Sequence, residues 1–251
     1  MAFTLHTLAQ RPEVEPHIDR LAEVCWPRFL RQHDDLGLGE HWPDLFTTFA
    51  DFQFVLREPG GRVVAAGQSV PFVWDGTAAD LPESLADIVG RARRDRKAGR
   101  TPTALSAVAA LVDPFERGKG VSAEVIRAMT ALASVHRIGT LVAPVRPTLK
   151  ASYPLVDMER YVRWRRDDGL SLDPWLRVHE RLGAGIVRIA PCTLRITGTV
   201  QEWEEWTGMA FPDTGPYVVP GALQPVQIDR EKDDGRYDDP NVWMLHKGVS
   251  R

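Results

Sequence analysis

Residues 111–129 read "LVDPFERGKGVSAEVIRAM" and join an apolar strand to a helix through a glycine turn. An apolar, β-compatible run from Ala104 ends at Asp113-Pro114, and the apolar residues Val121, Val125, Met129 and Leu132 then recur at helical steps. Between them lies Arg117-Gly118-Lys119-Gly120-Val121-Ser122. The first N–H groups of a helix have no intrahelical partner, and the helix dipole adds partial positive charge there. Glycines at that place leave no Cβ to obstruct a phosphate approaching those N–H groups. Arg117 and Lys119 add charge complementarity.

Two standard nucleotide motifs fit poorly. The GK[ST] ending of a P-loop is missing. "GKGVSA" formally matches the dinucleotide pattern GxGxxA, but Thr140 to Pro147 holds no acidic residue to take a ribose. "TLVAPVRP", residues 140–147, reads as a buried strand stopped by proline, so the order is strand, glycine turn, helix, strand. That is a βαβ unit with parallel pairing.

Upstream, Phe3 to Leu8 alternates as an opening strand, and helices are expected from Glu15 to Leu30 and from His41 to Phe52. Phe52 to Arg57 and Arg62 to Trp74 read as strands joined by the hairpin signal Glu58-Pro59-Gly60-Gly61. Gly67 marks a bulge or a close backbone approach. The basic run between Asp80 and Arg100 has no aromatic residues interleaved for base stacking, so it reads as a solvated helix face or a mobile connector. Downstream, Asp173-Pro174 opens a helix that ends at Gly183. Strands follow at Gly185 to Ile196, Tyr217 to Val219 and Gln224 to Arg230, with a helix from Thr199 to Gly208. The last segment, "DREKDDGRYDDPNVWMLHKG", reads as polar and turn-rich. The expected organisation is one domain over 1–251, with a basic insertion at 79–101 and a C-terminal extension at 199–251.

The 251 residues are 43% hydrophobic and 26% charged, with net charge −3, which suits a folded core and argues against wholesale binding to nucleic acid or membrane. The two cysteines, Cys25 and Cys192, are far apart and form no metal-ligand pattern, so they read as small hydrophobes in a reducing compartment. No apolar run reaches the ~20 residues of a membrane helix. The N-terminus lacks signal-peptide character, and a cytoplasmic location without metal is expected. No GxSxG occurs, and Asp233-Asp234 and Asp238-Asp239 read as solvated turns rather than a metal site.

On these residues the cradle resembles the coenzyme A-binding segment of the GNAT superfamily of acyl-CoA-dependent acyltransferases, whose pattern is [R/Q]-x-x-G-x-[G/A] after an apolar strand. Arg117, Gly120 and Ser122 stand at its specified positions, Gly118 adds the common RGxG form, and Ser122 departs from Gly or Ala. The resemblance implies an α/β (α+β) fold with a mixed, splayed central sheet flanked by helices. It implies acetyl-CoA or another acyl-CoA as co-substrate, held by Ala110, Leu111, Val112, Arg117, Gly118, Lys119, Gly120, Val121 and Ser122. The pantetheine arm would run between Ala104–Val112 and Thr140–Pro147, with the thioester near Pro144 to Thr148.

Amine acetyltransferases of this superfamily often carry Asn after the fifth strand and then a Tyr that protonates the departing thiolate. Here Arg146 and Thr148 follow the strand without an Asn, and Tyr153, then Tyr161, are the candidate acids. "DPWLRVHERLGAGIVR", residues 173–188, is similar to a segment of the decarboxylating GNAT-like loading domains of polyketide synthases. That second resemblance matches Thr148 and His179 to a catalytic Thr and His, with a protonated His quenching an enolate. Three functions stay open: N-acetyl or acyl transfer to a small-molecule amine; a malonyl-CoA-type decarboxylase or S-acyltransferase working with an acyl carrier protein; and a non-catalytic acyl-CoA-binding module.

Overall fold

A computed structural model describes residues 3–247. Among these, nine strands form one sheet: β1 (Thr4–Thr7), β2 (Gln53–Arg57), β3 (Val63–Phe72), β4 (Ala104–Val112), β5 (Leu141–Val145), β6 (Ala184–Gly198), β7 (Gly215–Tyr217), β8 (Val226–Asp229) and β9 (Asp234–His246). The helices are α1 (Glu15–Cys25), α2 (Leu38–Phe46), α3 (Leu85–Lys97), α4 (Val121–Val135), α5 (Met158–Tyr161), α6 (Pro174–Arg181) and α7 (Val200–Thr207). Strand order is β1-β2-β3-β4-β5-β9-β8-β7, with β6 on the other edge of β9. Every pairing is antiparallel except β4 with β5, the expected βαβ unit. The mixed, helix-flanked α/β architecture read from the cradle is the one observed.

Local chemistry explains where elements stop. The helix expected to reach Leu30 ends at Cys25, because Pro27 drives Trp26 into extended backbone (φ −95°, ψ 137°) and only a short 3₁₀ turn, Arg28–Arg31, follows. At the end of α4 the left-handed residue is Arg137 (φ 60°), not Gly139. The second helix starts at Leu38, earlier than expected, behind Gly37 in the left-handed region.

The basic run forms a packed helix rather than a mobile connector. Ser84 caps α3 by accepting the Asp87 N–H at 3.0 Å, and Leu85, Ile88, Val89 and Ala92 are buried. Its arginines face carboxylates: Arg91 with Asp80 at 2.7 Å, Arg93 with Asp44 at 3.5 Å, Arg100 with Asp95 at 2.6 Å. Pairing of these groups within the chain weakens any charge stripe the helix could present to a polyanion.

The segment expected as a C-terminal extension supplies β9, the strand between β5 and β6. One edge of β9 pairs with β8 at 234–236 and with β5 at 242–246, and the other edge pairs with β6 along most of its length. Pro240 sits where the first edge is left without a strand, which is where a residue lacking an N–H is tolerated. The polar residues that disguised this strand are buried with partners. Arg146 donates to both carboxylate oxygens of Asp239 at 3.0 and 3.1 Å, and the Tyr237 hydroxyl donates to Asp239 at 2.6 Å.

Three apolar clusters result. The largest joins α2, α3 and α4 to one face of the sheet; a second packs α1 against Val55, Val63, Ala66, Ala109 and Leu111 on the opposite face. A third gathers Phe29, Ile196, Trp203, Phe211 and Tyr237 around α7, with a Thr199–Glu202 capping box at the start of that helix. Among the described residues, no helix is long and apolar enough to cross a membrane.

Candidate active site

Between β4 and β5 the sheet comes apart. The two strands share only the pairs Leu105 with Leu141 and Ser106 with Val142. On the β4 side, Ala107 faces Ser69 and Ala109 faces Gln68, which leaves Val108 as the extra residue of a bulge. A bulge bends its strand and increases local twist, here at the root of the gap. Opposite lies Gly67, where a Cβ would sit 2.3 Å from the Phe54 ring, so the close approach read from that glycine is real.

The alternation of an antiparallel ladder fixes which groups of β4 are free. The Asp113 N–H donates to the Val64 carbonyl at 2.9 Å. Counting back in twos, Leu111 and Ala109 turn their backbone groups to β3, whereas Ala110 and Val112 turn theirs into the gap. The Val112 carbonyl accepts the half-buried Cys25 thiol at 3.3 Å. Ala110 therefore offers the free edge. Leu111 faces β3 with its backbone, and its side chain is buried against α1.

The cradle follows directly. Asp113 caps a short turn, Pro114–Glu116, by accepting the Phe115 N–H at 3.1 Å. Gly118 and Gly120 have φ of +79° and +82°, and a Cβ on either would meet nothing within 4 Å. These glycines are required by backbone conformation, and the space in front of them is open. Gly120 is the N-cap of α4, so the N–H groups of Val121 and Ser122 belong to its unpaired first turn. Lys119 pairs with Glu116 at 3.1 Å, and Arg62 holds the same carboxylate at 2.6 Å. Hydrogen bonds from Arg62 and then Lys119 keep the Glu116 pKa below its ordinary value. Arg117 is exposed, forms no ion pair among the described residues and lies beside the Cys25 thiol, whose pKa burial raises and Arg117 lowers.

The four catalytic candidates, Thr148, Tyr153, Tyr161 and His179, sit in different surroundings. Thr148 is exposed beyond the end of β5, and its hydroxyl makes no hydrogen bond within the described chain. Tyr153 is 39% exposed and stands edge-on to Trp164, with ring centroids 5.0 Å apart. Tyr161 is buried, donates to Asp173 at 2.8 Å, and is pushed above its ordinary pKa first by burial and then by that carboxylate. Its proton is committed.

Asp173 ties these pieces together. One carboxylate oxygen caps α6 through the N–H groups of Trp175 and Leu176; the other accepts from the Leu149 N–H and from Tyr161. The loop after β5 is thus pinned to the start of α6. Six residues along, about 9 Å down the helix axis, His179 is 1% exposed. Its Nδ1 lies 2.9 Å from Nε2 of His246, its Nε2 has no partner, and Trp175 packs edge-on to its ring at 4.4 Å. Burial, then the neighbouring His246, push its pKa down to about 3. His179 is therefore a neutral imidazole. Nothing in the sequence pointed to His246, which closes the apolar run Val242–Leu245 of β9.

A splayed β4–β5 pair, a free strand edge and a glycine-built anion cradle on the intervening helix define an acyl-CoA fold. No protein-family model matches the chain. A curated relative, the arginine N-acetyltransferase avaD of Aspergillus versicolor, is 32% identical over 275 residues, spanning 97% of this chain and 93% of its own. The chain belongs to the GNAT superfamily and is an acyl-CoA-dependent acyltransferase. Two solved structures share the whole fold. The loading GNATL domain of CurA from Lyngbya majuscula has a TM-score of 0.60 at 15% identity, covering 98% of both chains. The GphF GNAT-like decarboxylase in complex with isobutyryl-CoA has a TM-score of 0.61 at 18% identity, covering 98% of this chain and 100% of its own.

Proposed function

We propose that the protein transfers an acetyl or other short acyl group from coenzyme A to the nitrogen of a small-molecule amine. The observation that carries this is the end-to-end relative named as an arginine N-acetyltransferase. Arginine and small molecules bearing it are accordingly the first acceptors to try. The pyrophosphate would sit on the N–H groups at Gly118 to Ser122 with Arg117 beside it, and the pantetheine amides would pair with the free edge at Ala110.

An arm that enters at the cradle and follows β4 inward brings the thioester toward Val108, at the foot of the gap. That is deeper than the Pro144–Thr148 position expected from the sequence. Thr148 and Tyr153, exposed near the loop after β5, then contact the arm or the acceptor's path rather than the reacting carbon.

Decarboxylation with a proton-donating His is less well supported, because burial keeps His179 without a proton to give. The deciding experiment mixes the pure protein with acetyl-, malonyl- and longer acyl-CoAs, with and without arginine and other amines, and follows free thiol and product mass. Amine-dependent thiol release is the expected result. Malonyl-to-acetyl conversion without amine points instead to the decarboxylase working with a carrier protein. Binding without turnover across all acceptors leaves only an acyl-CoA-binding module.

A further inference from the structure

We propose that Phe115 is the platform on which the adenine of coenzyme A stacks, so that the protein distinguishes a free acyl-CoA from a thioester lacking the nucleotide. This rests on the acyl-CoA cradle and adds to it the half of the coenzyme that lies outside the gap.

Phe115 is the most exposed large apolar side chain among the described residues, at 84%. Its ring belongs to none of the three apolar clusters. A phenyl ring left in water forgoes the stabilisation of burial, yet its backbone is firmly held. The Asp113 carboxylate accepts the Phe115 N–H at 3.1 Å, and the Asp113 carbonyl accepts the Glu116 N–H at 2.8 Å. Asp113 is itself tied to β3 through the Val64 carbonyl at 2.9 Å and to α1 through Arg20 at 3.4 Å. The next side chain, Glu116, is held by Arg62 and Lys119. The ring is thus carried on a fixed turn, and little backbone freedom is left for a ligand to remove.

The course of the coenzyme brings its base toward that turn. In the binding mode proposed above, pantetheine follows β4 inward past Ala110 and the pyrophosphate sits at Gly118 to Ser122. The adenosine 3′-phosphate then leaves the cradle outward, over one of two surfaces. Past the start of α4 stands Glu124, paired with Arg127, a carboxylate that opposes the nucleotide's phosphates. On the other side stand Phe115 and, two residues on, the exposed Arg117, which forms no ion pair among the described residues. Phe115 lies three residues from Gly118, no more than about 11 Å along the chain. A base joined to the pyrophosphate through one ribose spans that interval. An aromatic face beside a cation suits a purine and its phosphate, because every base has a π-face to stack.

The consequence is a choice of donor. A carrier-bound thioester presents the same phosphopantetheine arm without an adenine, so it gains nothing from Phe115. A carrier protein docked on the exposed ring would reverse that preference.

Calorimetry on the full-length protein, with coenzyme A and with 4′-phosphopantetheine, tests this without any acyl acceptor. Phe115→Ala is expected to weaken coenzyme A binding about fivefold to a hundredfold and 4′-phosphopantetheine binding by less than about twofold. Phe115→Tyr keeps a ring and is expected to recover most of the loss. Because the side chain is exposed, both variants are expected to keep the wild-type urea midpoint. In turnover with an amine that is acylated, the KM for acetyl-CoA is expected to rise by the same factor with kcat unchanged, since the base is remote from the reacting carbon. Equal losses for the two ligands, or unchanged coenzyme A affinity in Phe115→Ala, overturn the proposal. So does a loss confined to an acetyl-loaded carrier protein, which makes the ring a docking point instead. Coenzyme A binding that survives Phe115→Ala refutes the ring alone, whereas no binding in the wild type refutes the cradle as well.

Discussion

Acidification from pH 7.5 to 5.5 is expected to cost the fold about 1.4 kcal/mol through His179 alone. Its imidazole is 1% exposed, and its folded pKa is pushed from 6.5 to about 3, chiefly by burial. The folded value lies below the unfolded one, so the unfolded chain takes up the extra proton. Stability is complete above pH 6.5 and is lost as the pH falls from there toward about 3. One unit below an unfolded pKa of about 6.5, protonation favours the unfolded chain by RT ln 11, or about 1.4 kcal/mol. His246, also lowered by burial, adds to the loss in the same direction. Asp238 does not interfere: burial raises it, but Arg236 and Arg195 outweigh that and hold it at about 2, so it titrates below this window. The assay is urea unfolding followed by tryptophan fluorescence at pH 7.5, 6.5 and 5.5, comparing wild type with His179→Leu. The variant's own stability change is immaterial, because only the difference between pH values is read. A His179→Leu curve that loses as much stability between pH 7.5 and 5.5 as wild type refutes the buried neutral imidazole.

Three further outcomes test the frame around the site. A Cβ at Gly120 meets no atom within 4 Å, but Gly120→Glu must adopt φ +82°, a strain of roughly 1–2 kcal/mol, and its carboxylate adds negative charge at the cradle. Calorimetry is expected to show acyl-CoA affinity abolished in a folded variant; unchanged affinity removes the cradle assignment. Arg146→Met strands the buried carboxylate of Asp239, which it contacts at 3.0 and 3.1 Å, and is expected to lower unfolding stability by about 3–5 kcal/mol; an unchanged urea midpoint contradicts this. Gly67→Ala sets a methyl 2.3 Å from Phe54 and is expected to cost about 1–3 kcal/mol, with Phe54→Leu in the same chain recovering part of the loss and no recovery arguing against that clash.

Much of the cradle was legible in the residues themselves. Gly118 and Gly120 announce left-handed backbone, and Asp113 and Asp173 announce caps whose partners lie two or three positions on. Such interactions close within a turn of chain, so short-range chemistry determines them. Residue types alone also determined the parallel β4–α4–β5 unit, since a strand, a glycine turn, an amphipathic helix and a second strand leave one handed way to pack.

What the sequence left undecided depends on groups that meet only after the sheet is assembled. His179 and His246 are 67 residues apart, and Arg146 and Asp239 are 93 apart. Asp238-Asp239-Pro240 reads as a turn until the bonds that satisfy those carboxylates are in place, which is why β9 was missed. Likewise, apolar residues along β4 predict a buried strand but not which of its edges stays unpaired. That edge is set by the bulge at Val108 and by the twist of neighbouring strands. Residue types alone specify a helix start at Gly120 whose glycines leave the first N–H groups open to an approaching anion. Tertiary structure decided how deep the gap runs, that Ala110 offers the free edge, and that His179 stands neutral, because burial and pairing are properties of the assembled sheet.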